Sequence, residues 1–186
     1  MRYKNIKLIK SSECKKITLK ETQNYYSDYV NPALTRSLKI FSFGNNIVKS
    51  AANASILLSN NKKVLDFTGG LGVLNFGHNP KEILSERIKF QKKMNMEVHK
   101  NFFSQYTAAL AYNLAQIIPG KLNYSYFCNS GAEAVDGAIK LAYKSYQGKR
   151  DIILHSDIAF HGKLLGALSV SSSSENDFVF PKIKFG

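Results

Sequence analysis

Tyr124-Ser125-Tyr126-Phe127-Cys128-Asn129-Ser130-Gly131-Ala132-Glu133-Ala134 reads as a strand running through a small-residue turn into the start of a helix. The run 124–128 has the apolar, aromatic character of a buried strand, and Val135 to Tyr146 has the spacing of an amphipathic helix. The first N–H groups of a helix find no acceptor inside it, and the helix dipole places partial positive charge at the same end. A phosphate set at such a turn satisfies the free donors, and Gly131 and Ala132 keep bulk away from it. The stretch therefore points to a phosphorylated small molecule as ligand. Taken alone it is equally a plain helix start.

Working outward, the chain alternates strand and helix. A helix is predicted from Ser104 or Gln105 to Ile118, ended by Pro119-Gly120. The strand 124–128, a helix over 133–147 and a strand Ile152-Ile153-Leu154 follow. Such alternation implies an α/β fold with a parallel sheet covered on both faces, whose ligands sit beyond the carboxyl ends of the strands. Upstream, residues 11–30 have helical spacing up to Asn31-Pro32, and 33–41 predicts another short helix. Residues 54–58 and 63–67 read as strand, turn, strand. Thr68 to Pro80 holds four glycines within nine residues, a composition for tight turns and close backbone approach to a ligand. Pro80 then suits the first turn of a helix running to about Met94. The serines 171–174 read as a surface loop. The twelve residues after them hold no further helix-strand series, so the expectation is a sheet broken off part-way through its domain.

Composition bounds the remaining options. The chain has 186 residues and a hydrophobic fraction of 44%, ordinary for a globular protein. Cys14 and Cys128 form neither a disulfide framework nor a CxxC pair, which suggests a reducing compartment. No signal peptide or transmembrane run is legible, and the cytoplasm is the default expectation. His78, His99, His155 and His161 lack metal-ligand spacing, so no metal site is expected. The net charge is +13. Residues 1–65 carry 12 Lys/Arg against 3 Asp/Glu, and residues 66–186 carry 14 against 10. That basic front keeps open an alternative from another class, a non-catalytic binding module for nucleic acid or anionic surfaces. The bland reading is a set of scattered lysines on solvated faces.

Three segments in order resemble class III aminotransferases: Leu65 to Pro80, Phe127 to Ala142, and Ala159 to Ser169. The resemblance covers roughly residues 47–186. Pro119 to Ser125 and Phe160-His161-Gly162-Lys163 are most similar to putrescine aminotransferases, with ornithine and acetylornithine enzymes next. The resemblance implies a fold of the type I pyridoxal-phosphate (PLP) transferase class, truncated part-way through the large parallel-sheet domain. Residues 1–65 would be an N-terminal segment of helices and a β-hairpin belonging to the small domain. Residues 66–186 would be the first part of the PLP-binding domain.

By the same resemblance, Ser130, Gly131 and Ala132 hold the phosphate of pyridoxal 5′-phosphate, Phe160 stacks on its ring, and His161 shapes the same loop. Gly70 and Lys163 border the substrate. Lysine at 163 departs from the arginine frequent in the acetylornithine branch, and Leu164 stands where a hydroxyl residue is common. The implied reaction moves an amino group from an amine or amino acid, putrescine- or ornithine-like, to a 2-oxo acid. The family's Asp-x-x-Gln segment and its Schiff-base lysine have no match in residues 1–186, so no catalytic residue is assigned and the chain alone is expected to be inactive. A homodimer is expected at full length, with no specific nucleic acid and no membrane as partner. Without the family, Phe160 reads as core, and His78 and His161 read as ordinary loop histidines. Glu133 and Asp136 read as acids favoured by the helix dipole.

Overall fold

The computed structural model describes residues 8–41, 43–97 and 101–172. The expectations made for the N-terminal residues 1–5, for His99 and for the tail beyond Ser172 lie outside these. The chain divides into two compact units, residues 1–97 and 98–186.

In the first unit the single helical span expected over 11–30 is three pieces: α1 (Ser11–Cys14), α2 (Leu19–Tyr25) and a π turn (Tyr26–Val30). The break has a local cause. Thr18 and Glu21 form a capping box: the Thr18 hydroxyl accepts from the Glu21 N–H at 3.2 Å, and the Glu21 carboxylate accepts from the Thr18 N–H at 2.8 Å. A new helix therefore starts at Leu19. The next helix, α3 (Pro32–Ile40), is capped by Asn31, whose side-chain oxygen accepts from the N–H groups of Ala33 and Leu34. Pro32 sits at its first turn, where a missing N–H costs nothing.

A three-stranded antiparallel sheet follows, β1 (Val48–Ala52), β2 (Ser55–Leu58) and β3 (Lys63–Leu65), in the order β1-β2-β3. The strand-turn-strand reading of 54–67 is β2 and β3. Strand β1 was not foreseen, since Val48 to Ala52 is mixed and weakly patterned. Next, α4 (Gly69–Gly72) is one turn of left-handed backbone, with φ of 55°, 61°, 62° and 83° at Gly69, Gly70, Leu71 and Gly72. L-residues avoid this region because Cβ crowds the following carbonyl, which is why three of the four are glycine. Helix α5 (Lys81–Lys92) closes the unit with Pro80 at its N-cap.

The second unit contains α6 (Gln105–Ile117), α7 (Gly131–Ser145) and the short α8 (Leu165–Ser169). Helices α6 and α7 lie where the pattern placed them. The short helix α8 was not expected. The strands expected at 124–128 and 152–154 are not strands: neither segment is in a ladder, and no parallel pair exists among the described residues. A strand exists only through hydrogen bonds to a neighbour, and apolar patterning cannot supply the neighbour. Tyr124, Tyr126, Ile152 and Leu154 accordingly stand exposed. Tyr126 nevertheless lies against α7, close enough that a Cβ on Gly137 would come within 3.0 Å of its ring. This contact explains a glycine in mid-helix. Another correction concerns Ser171, expected on a surface loop. It is 1% exposed, beside buried Ala167, Ser169 and Val170.

Candidate cofactor site

Ser130 is the N-cap of α7. Its extended backbone (φ −150°, ψ 159°) lets the side-chain hydroxyl accept from the Glu133 N–H at 3.2 Å. The Glu133 carboxylate turns back to accept from the Asn129 N–H, at 2.6 Å. One helix-start donor is thus satisfied by the cap, and the nearby acid is engaged with the preceding residue. The N–H groups of Gly131 and Ala132 have no protein acceptor among the described residues. A Cβ built on Gly131 would meet nothing within 4 Å. Two free donors beside open space, at the positive end of a fifteen-residue helix, suit a phosphate.

The segment 159–163 lies beside this turn. A Cβ on Gly162 would fall 2.5 Å from the Ala132 Cβ, and φ at Gly162 is +118°. Only glycine allows this approach and this backbone. The His161 N–H donates to the Ser171 hydroxyl oxygen at 2.9 Å, the Ser171 hydroxyl donates to the Ala167 carbonyl at 2.8 Å, and the Ser172 N–H donates to the Ala159 carbonyl at 2.7 Å. The far end of the loop is strapped through Asp136, whose Oδ1 accepts from the Ala167 N–H at 2.8 Å. Phe160 remains 74% exposed, an aromatic face not used by the unit's own packing. Lys163 is exposed and His161 half-buried.

Ser130, Gly131, Ala132, Phe160, His161 and Lys163 therefore all belong to the second unit, and Gly162 brings the loop onto the turn. Gly70 belongs to the first. There the Asp66 carboxylate organises the glycine turn. It accepts from the Thr68 hydroxyl at 2.6 Å, the Thr68 N–H at 2.8 Å, the Gly70 N–H at 3.0 Å and pairs with His78 Nε2 at 3.0 Å. The hydrogen bond from the Thr68 side chain leads in holding the Asp66 carboxyl far below the usual carboxylate range, with the Thr68 N–H, His78 and the Gly70 N–H adding to it against the opposing effect of desolvation. His78 is itself fixed by two backbone bonds with Asn53, at 2.9 and 2.8 Å. It is a structural partner of Asp66 and not a free loop histidine.

Sequence reasoning missed Asp66, Asp136 and Ser171. Asp66-x-Thr68 carried a readable signal, since an aspartate commonly binds the backbone two residues on. Asp136 and Ser171 carried none. No group of three or more potential metal ligands occurs among the described residues, and no helix there is long and apolar enough to cross a membrane.

The fold has known counterparts. It is similar to the adenosylmethionine-8-amino-7-oxononanoate aminotransferase of Methanocaldococcus jannaschii, with a TM-score of 0.72 and 24% identity over 83% of this chain and 36% of that one. It is also similar to an (S)-enantioselective omega-transaminase of Thermomicrobium roseum, with a TM-score of 0.67 and 29% identity over 79% of this chain and 34% of that one. A transaminase from a marine Virgibacillus aligns with a TM-score of 0.63 and 24% identity over 68% of this chain and 30% of that one. The chain thus spans about a third of the length of the transaminases it matches. The mixed helix-and-sheet architecture is that of part of a PLP-dependent transaminase. The family model described as aminotransferase class-III matches residues 42–183, three-quarters of the sequence, and the chain belongs to the class III aminotransferases.

Proposed function

We propose that this chain provides the phosphate-binding part of a transaminase that moves an amino group from an amine or amino acid to a 2-oxo acid. A putrescine- or ornithine-like donor is the substrate class favoured by the sequence around 119–125 and 160–163. The observation that carries the reading is the pair of N–H groups at Gly131 and Ala132 that have no protein acceptor among the described residues, with nothing within 4 Å of a Cβ built on Gly131. The donor set fits pyridoxal 5′-phosphate: Ser130, Gly131 and Ala132 would hold its phosphate, and Phe160 offers the exposed aromatic face for its ring. When bound, the cofactor supplies the electron-withdrawing ring that amino transfer requires. The chain's own part is to bind and orient. Backbone N–H groups would hydrogen-bond the phosphate, Gly162 keeps the loop close to the turn, and Lys163 would border the amino donor. Residues 66–186 would form the beginning of the cofactor-binding domain and 1–65 part of the small domain, in an assembly that is a homodimer at full length.

The placement is tested by equilibrium dialysis of pyridoxal phosphate against the chain and its Gly131→Asp variant. A carboxylate at the turn repels the phosphate and fills its space, so affinity should fall at least tenfold. Equal affinity overturns the placement. The same preparation should show no amine-to-oxo-acid transfer even with saturating cofactor, because nothing in residues 1–186 matches the family's Schiff-base lysine or its Asp-x-x-Gln segment. Measurable turnover would show that a lysine of this chain performs that chemistry.

A further inference from the structure

Helix α8 begins with a residue unable to cap it. Leu164 occupies the N-cap with φ −71° and ψ 153° and makes no side-chain cap hydrogen bond. Serine, threonine, asparagine or aspartate at this position would accept from the N–H of the third helical residue. That residue is Ala167, and its N–H donates to Asp136 Oδ1 at 2.8 Å, an acceptor 31 residues earlier in the chain. The cap is thus supplied from another helix. Gly166 makes room for it, since a Cβ there would sit 2.6 Å from the same oxygen. One turn before Asp136 on the same face of α7, Ala132 meets Gly162. A single helix face therefore grips the loop at two points, residue 162 and residues 166–167. The end held by Asp136 is the dry one, where Ala167 and Ser171 are buried. Phe160 and His161 project from the segment so held.

We propose that Asp136 is a positioning residue for the cofactor site. By capping α8 in place of Leu164, it holds the Phe160–Gly162 loop against the Ser130–Ala132 turn. This rests on the reading of that turn as the phosphate site of pyridoxal phosphate. The role separates two parts of binding. The turn alone should hold a phosphate group, and the cofactor's ring should need the loop as well.

The test uses the whole chain as wild type, Asp136→Ala, Leu164→Thr and the double variant. Two measurements are made: amide exchange at Ala167, and affinity for pyridoxal phosphate beside affinity for inorganic phosphate. In Asp136→Ala, exchange at Ala167 should accelerate and pyridoxal phosphate affinity should fall about fivefold, the loss expected for one helix cap. Inorganic phosphate affinity should stay within twofold. In the double variant the hydroxyl introduced by Leu164→Thr supplies the cap locally, and both protection and cofactor affinity should return. Equal losses for both probes would show that Asp136 only supports folding, and the proposal fails. It fails also if Ala167 exchange is unchanged, or if Leu164→Thr gives no rescue. Should Asp136→Ala not fold, the double variant decides, since a regained cap should restore fold and cofactor affinity together. A wild-type chain that takes up neither probe overturns the cofactor reading and the positioning role with it. Exchange at Ala167 still judges the cap separately.

Discussion

Two aspartates each hold a glycine-dependent loop, and they do so in opposite ways. Asp66 in the first unit gathers Thr68, Gly70 and His78, all within twelve residues of itself. Asp136 in the second unit takes one N–H from 31 residues away. The first arrangement is nearly self-contained: once the chain turns at Gly69, the donors are already close. The second exists only after α7 and α8 have come together. A local cluster survives disturbance of its surroundings, whereas a single long-range bond is as stable as the contact that brings its ends together. The loop held by Asp136 should therefore be the more easily broken of the two.

The largest effect should come from filling the contact that makes the long-range bond possible. Gly162→Val places side-chain atoms where the Ala132 Cβ lies, 2.5 Å from a Cβ, and forces a β-branched residue to φ +118°. A loss of about 3 kcal/mol in denaturant unfolding is expected from overpacking together with backbone strain. Unchanged stability would show that the loop does not rest on the turn. A smaller loss, about 1 kcal/mol, is expected for Gly166→Ala, whose methyl displaces the Asp136 carboxylate without backbone strain. Ala167 amide exchange should rise in step with it.

The local cluster is best probed by pH. The folded Asp66 carboxyl titrates below its ordinary unfolded value of about 4, so the stability it contributes is complete above that value and declines as pH falls beneath it. Protection of the Gly70 amide should fall on the acid side of about pH 4 in the wild type. In Asp66→Asn it should be lower at neutral pH and flat through the acid range. An acid limb that persists in the variant would assign it to another carboxylate. The smallest effect should be a gain. Leu71 is held at φ 62° with its side chain 90% exposed, so Leu71→Gly relieves left-handed strain and loses almost no burial. A stabilisation of about 0.5 kcal/mol is expected, the left-handed penalty less the entropy that glycine adds to the unfolded chain. A destabilised variant would mean that Leu71 has a packing partner.

How much could be read in advance depended on the range of the interaction. Helices α5, α6 and α7 were legible because proline, serine and apolar spacing act within a turn or two. The hairpin β2–β3 was legible through Ser59-Asn60-Asn61-Lys62. The break at Thr18 was written in a capping box and overlooked. The expected strands at 124–128 and 152–154 failed for a different reason. Their apolar character is real, but a ladder needs a second segment, and alternation along one chain does not say which segment that is. Of the candidate site, the Ser130–Ala132 turn was legible through its small residues and the helix start, although the strand expected before it did not form. The buried Ser171 strap was not legible: Ala167 lies only four residues back, but the His161 N–H comes from ten residues away and meets the hydroxyl only once the loop has folded.

By itself, then, the sequence determined the starts of α2, α3, α6 and α7, the glycine turn and the donor-rich opening of α7, because caps, φ preferences and dipoles act over a few residues. Only the tertiary structure decided that Gly162 rests on Ala132, that Ser171 is core and not loop, and that α8 receives its cap from Asp136. The first and last are contacts between residues some thirty positions apart, and the Ser171 strap reaches back ten residues to His161. Such a contact forms only when two elements have docked, and no residue's own preference encodes it.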